Sequence, residues 1–172
     1  MVFRIKKELY KTKEDFALKP QDGSFVLRVA AFRKGYYVYN ASGAQTAQIV
    51  FGKERATVSV ADGASMTVIK NYDNTFAVID TMPSEEEKKK IKDPSKQKKS
   101  SLVYMIYGNV AAYNYDIYEK RADQKLPVKA AIVINDIFEQ GWYKVKITES
   151  VNTLRTLMIC LALDRLSREG RK

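Results

Sequence analysis

The chain has 172 residues, 45% of them hydrophobic and 29% charged, with a net charge of +10. That length suits one domain, with a core burying roughly 70% of the surface the unfolded chain exposes. There is no histidine and only one cysteine, which excludes Ser-His-Asp and Cys-His catalysis, histidine-based metal sites and an internal disulfide. The basic balance either points to an anionic partner (nucleic acid, an anionic membrane surface or an acidic protein) or serves solubility alone.

The chain begins Met1-Val2-Phe3-Arg4-Ile5-Lys6-Lys7 and shows no apolar signal-peptide segment, so a cytoplasmic chain is expected. Phe3 to Leu9 reads as a first strand. Three hairpins follow in series, with turn signals Asp22-Gly23, Ser42-Gly43 and Asp62-Gly63 spaced 20 residues apart. Their arms are Phe16–Leu18 and Phe25–Val29, Tyr36–Tyr39 and Ala47–Phe51, and Ala56–Val60 and Met66–Ile69. Phe76–Asp80 is the next strand candidate.

From Pro83 to Ser101 the pattern breaks. This segment holds seven lysines and almost nothing apolar, and reads as a mobile surface loop at about 83–101. Strand patterns resume at Leu102–Tyr107, Tyr113–Tyr118, Val128–Ile134 and Trp142–Ile147, twelve in all. Regular spacing of short strands is the signature of an all-β sandwich or barrel.

The last stretch reads as a helix over about 150–168, with Thr148 or Ser150 as N-cap and Gly170 as its end. Its middle, Leu157-Met158-Ile159-Cys160-Leu161-Ala162-Leu163, is apolar on every side. Seven consecutive residues at about 100° each cover the whole circumference. A membrane span needs about 20, and here Asp164 and Arg165 follow at once. Such a helix must be surrounded by protein. A strand wall that closes around it is the expected architecture: a twelve-stranded β-barrel with a buried C-terminal helix, one domain over 1–172. Cys160 is then a small core hydrophobe. Arg165, Arg168, Arg171 and Lys172 complement the helix dipole.

The segments Tyr36-Tyr37-Val38-Tyr39-Asn40-Ala41-Ser42-Gly43 with Ala47-Gln48-Ile49-Val50, and Thr156 through Asp164, carry a resemblance over essentially the whole chain. The chain resembles the tubby C-terminal-like superfamily, which includes tubby proteins, phospholipid scramblases, LURP-one-related proteins and small bacterial relatives, the last being most similar in size. The resemblance implies a twelve-stranded barrel around a central helix. It further implies binding of phosphorylated inositol lipids or action at membranes. None of the family's ligand residues aligns onto this chain one by one. No Asp-rich calcium loop is present, and neither a metal nor a cofactor is expected.

A candidate site follows from alternation alone. In Trp142–Thr148, Tyr143, Val145 and Ile147 share one face, and Trp142, Lys144 and Lys146 the other. In the first strand Phe3, Ile5 and Leu9 face inward, leaving Arg4 and Lys6 outside. If the barrel closes first strand to last, Arg4, Lys6, Lys144 and Lys146 form one basic patch beside Trp142. Such a patch suits anionic lipid headgroups at about 1 kcal/mol per cation, with the indole at headgroup level; the plain alternative is a solvated barrel wall with one semi-exposed tryptophan. The expectation is therefore a non-enzymatic binding module, peripheral at the inner membrane face. Two alternatives stand beside it. Tyr104, Tyr107, Tyr113, Tyr115 and Tyr118, interleaved with lysines elsewhere, could stack on single-stranded nucleic acid, or could simply fill the barrel wall. A protein-interaction scaffold is the other.

Overall fold

Alternation of buried and exposed side chains is what makes these segments strands, and the computed structural model shows twelve of them. It describes residues 1–12, 14–61, 65–80, 102–121, 123–149 and 151–168. The strands are β1 (Val2–Lys6), β2 (Phe16–Leu18), β3 (Leu27–Phe32), β4 (Gly35–Tyr39), β5 (Gln45–Gly52) and β6 (Arg55–Val60). They continue as β7 (Ser65–Lys70), β8 (Phe76–Asp80), β9 (Leu102–Asn109), β10 (Asn114–Glu119), β11 (Val128–Asn135) and β12 (Trp142–Ile147), followed by the helix α1 (Thr153–Arg168). The sheet order is β1-β12-β11-β10-β9-β8-β7-β6-β5-β4-β3-β2, antiparallel throughout. Its free edges come back together where Phe3 bridges Pro20 and the Gln21 N–H donates to the Val2 carbonyl at 2.8 Å. The result is a nearly closed barrel, as the all-round apolar helix requires.

The barrel interior is the core. β12 buries Tyr143, Val145 and Ile147, β1 buries Phe3 and Ile5, and β6 buries Ala56, Val58 and Val60. Every residue of α1 from Thr156 to Ser167 is buried, so all faces of the helix are covered. The helix packs against β5, β6, β7 and β12. Among the described residues no helix is long and apolar enough to cross a membrane.

Antiparallel order sends successive turns to opposite ends. Residues 7–12, 33–34, 53–54, 71–75, 110–113 and 136–141 form an upper rim, where the C-terminus of α1 also emerges. Residues 19–26, 40–44, 123–127 and 148–149 belong to the lower rim. Two of the three glycine turns are seen. Gly23 has φ 69° and Gly43 φ 86°, the left-handed region glycine enters without a Cβ clash, and Asp22 and Asn40 brace them by accepting the Ser24 and Ser42 N–H.

Three local expectations need correction or fall outside the structure. The first strand stops at Lys6, not Leu9, because Glu8 is left-handed (φ 56°) and Leu9–Lys11 form a 3-10 turn; Leu9 still points inward. The helix cap is Asn152, whose Oδ1 accepts the Arg155 N–H at 3.0 Å. Thr148 still belongs to the sheet, its N–H donating to the Ala130 carbonyl, and the helix begins only at Thr153, out of its side chain's reach. The Asp62-Gly63 turn, Ser150, the lysine loop at 83–101, Gly170, Arg171 and Lys172 lie outside the described residues.

Candidate functional site

The first and last strands are neighbours, and their register sets Arg4 opposite Lys144, Lys6 opposite Trp142 and Val2 opposite Lys146. With Phe3, Ile5, Tyr143 and Val145 fully buried, the outer face carries Arg4, Lys6, Trp142, Lys144 and Lys146 together. Trp142 is half-buried in the seam. Its ring packs on Phe16 of β2 with centroids 5.9 Å apart, and the Arg4 guanidinium lies 5.4 Å from its centroid. The indole thus ties β12, β1 and β2 together.

The five residues are not equivalent cations and a ring. Arg4 Nε and Nη2 donate to Asp136 Oδ2 at 3.3 and 3.2 Å, and Nη2 also donates to Glu139. Both acids sit on the hairpin between β11 and β12, which the strand pattern alone did not single out. The one available sign was position: an Asn135-Asp136 pair closing one strand, a few residues before Trp142 opens the next. Burial would raise the Asp136 carboxyl, but the Phe138 N–H, the Arg4 guanidinium and the charge of Lys144 outweigh it and hold it below its ordinary range. Arg4 is therefore a clamp. Lys6 and Lys146 are exposed, Lys144 is half-exposed, and none of the three has an ion pair among the described residues. They supply the charge available to a ligand.

Beside the row, a cleft of about 580 Å³ opens at the seam, lined by Lys6, Lys7, Glu8, Lys11, Thr12, Glu14, Asp15 and Phe16. The left-handed Glu8 creates it by turning the chain out of β1. Its charges are mixed and mostly answered. Lys11 pairs with Glu8 at 3.1 Å, Asp15 pairs with Arg28, and the Lys7 ammonium sits 4.6 Å from the Tyr113 ring centroid.

The helix end at the upper rim is tied into a polar network. Asp164 accepts the Tyr113 hydroxyl at 2.6 Å and the Glu8 N–H at 2.8 Å, and lies 3.4 Å from Arg168 Nε. Arg168 also donates to Tyr113 Oη and to the Ala111 carbonyl. Arg165 donates to the Arg33 carbonyl at 2.8 Å and stands 4.4 Å from the Phe51 ring centroid. Both arginines, expected to act through the helix dipole, are also fastened to the barrel. Burial raises the Asp164 carboxyl despite these donors and pushes the Cys160 thiol up to about 12, consistent with a core role for that cysteine.

Tyr104, Tyr113 and Tyr115 are buried inside the barrel, where no base could stack on them. Tyr107 and Tyr118 lie outside and pack edge-on against each other at 5.5 Å.

No protein-family model matches the chain, and no curated protein matches it in sequence. Among solved structures it is similar to the X-ray structure of a protein from Arabidopsis thaliana, with 12% sequence identity and a TM-score of 0.62, over 97% of this chain and 92% of that one. At that identity the likeness shows the fold: an all-β barrel of antiparallel strands with one C-terminal helix.

Proposed function

We propose that this protein is a non-enzymatic, tubby-like binding module for anionic lipid headgroups, acting peripherally at the cytoplasmic face of a membrane. The observation that carries the reading is the β1–β12 register, which aligns Lys6, Lys144 and Lys146 with Trp142 on one outer wall. Cations near an anionic surface contribute about 1 kcal/mol each, and an indole with one apolar and one polar edge suits the headgroup layer. Arg4 serves by holding the adjacent hairpin rather than by meeting phosphate. The tubby-like resemblance of Tyr36–Gly43 and of the buried helix agrees with this reading in kind.

Vesicle co-sedimentation tests it. At about 0.15 M salt, where exposed charges are screened beyond roughly 8 Å, the protein should pellet with vesicles containing phosphatidylserine or a phosphoinositide and stay in solution with neutral ones. Lys144→Glu with Lys146→Glu should weaken that binding about tenfold or more without changing the melting temperature. Unchanged binding by the double variant would overturn the site. Retention on a single-stranded oligonucleotide with no vesicle binding would move the reading to nucleic acid.

A further inference from the structure

The hairpin joining β11 to β12 is turned inside out. Its acid, Asp136, is 5% exposed, while its two large apolar side chains, Ile137 and Phe138, are 82% and 89% exposed. Exposed apolar residues are ordinary when they stand singly or ride on a loose loop. These two are adjacent, and their backbone is braced at every turn. Asp136 Oδ1 accepts the N–H groups of Phe138 and Glu139 at 3.0 and 3.2 Å. The Asp136 N–H donates to the Trp142 carbonyl at 3.1 Å, and the Lys7 N–H donates to the Gly141 carbonyl at 2.9 Å. Arg4 grips Asp136 and Glu139 from the side. A network of this kind spends its polar groups on holding the apolar pair outward.

The surroundings say what the pair faces. Around the base of the hairpin stand Arg4, Lys6, Lys7 and Lys144, against Asp136 and Glu139, which Arg4 engages, and the cleft acids Glu8, Glu14 and Asp15, of which Glu8 pairs with Lys11 and Asp15 with Arg28. A protein partner needs about 800 Å² of buried surface on each side, which a convex two-residue tip does not offer. A bilayer accepts such a tip, with the apolar side chains in the acyl boundary and the cations at its base among the headgroups.

We infer that Ile137 and Phe138 form a wedge that inserts into an anionic bilayer leaflet, with Lys6 and Lys144 at phosphate level. This rests on the lipid-binding reading above and adds to it the orientation of the barrel, upper rim toward the membrane, and a contact with acyl chains rather than headgroups alone.

The test uses the full chain and vesicles of phosphatidylcholine with phosphatidylserine. Ile137→Ser with Phe138→Ser should reduce co-sedimentation about tenfold or more, the removal of two large apolar groups from the acyl boundary, while leaving the melting temperature unchanged. In a second arm, Phe138→Trp in a Trp142→Phe background is read on the bound protein, and acyl-chain-brominated lipid should quench its fluorescence. If the parent chain binds and the serine variant binds equally, the wedge is overturned while headgroup binding stands. Weakened binding without bromine quenching also overturns insertion. A concentration-dependent dimer of the parent that the serine variant abolishes would assign the tip to a second copy and overturn it too. If the parent binds no vesicle, both the wedge and the lipid reading fall.

Discussion

Two places on the upper rim break the usual partition of polar and apolar residues, and they break it in opposite directions. At the end of α1, Asp164, Arg165 and Ser167 are buried. On the β11–β12 hairpin, Ile137 and Phe138 are exposed. The first inversion is settled within the chain: Asp164 has a hydroxyl, a backbone N–H and a guanidinium beside it, and Arg165 has a carbonyl and an aromatic face. The second has no such settlement: among the described residues nothing folds over the two side chains, even though the backbone beneath them is braced. A buried charge engaged by groups of its own chain belongs to stability. A braced apolar tip with no cover belongs to an encounter with something else.

Changes in the helix should sharpen that contrast most. Leu161→Asp places a carboxylate at the barrel centre without the donors that Asp164 enjoys, and should abolish a cooperative thermal melt followed by circular dichroism. A parental melt for that variant would contradict the enclosed helix. Next, Asp164→Ala strands the Tyr113 hydroxyl and the Glu8 N–H, takes one of its partners from Arg168, and should cost about 3 kcal/mol. In a domain this size that is a fall in Tm of roughly 6–12 °C. Tyr113→Phe removes one of the donors and should cost about 1 kcal/mol in the same assay. At the other inversion, replacing Ile137 and Phe138 by serine should move stability by no more than about 0.5 kcal/mol. A large loss there would mean the pair supports the fold after all.

The smallest effect is one of pH, and its sign differs between the two acids. The Asp136 carboxyl is depressed in the folded protein. Its stabilising contribution is full above the unfolded value of about 4, and is lost as pH falls through the lower folded value. The Asp164 carboxyl is raised by burial. The folded state holds that proton more tightly than the unfolded chain does, so stability declines as pH rises from about 4 toward the folded value. Carboxyl-carbon chemical shifts followed across acid pH should show Asp136 titrating below the ordinary aspartate range and Asp164 above it. The reverse order would contradict the geometry of both sites.

Much of this architecture is legible in the order of residues, for a physical reason. Seven consecutive apolar residues in a helix admit only an enclosed position, and Trp142–Ile147 alternates so cleanly that its outer face could be named before the sheet was seen. The basic row needed one further premise, closure of β1 on β12, which the helix itself demands. What stayed hidden depends on long-range geometry. Arg4 meets Asp136 across 132 positions of sequence, and nothing local to either announces the clamp. Glu8 adopts a left-handed backbone although it is not glycine, so the residue pattern runs on to Leu9 and carries no sign of the turn or of the cleft beside it. The cap moved from Thr148 to Asn152 because Thr148 was still engaged by the sheet, a contact that capping preference cannot weigh.

The measurement that bears most directly on the account is amide hydrogen exchange of the full chain with and without phosphatidylserine-containing vesicles. The two rims serve as each other's control. The account predicts slowed exchange at 136–141 and 7–12 on the upper rim, with the lower-rim turns at 40–44 and 123–127 unchanged. Protection confined to the lower rim, or none at either end, would contradict it.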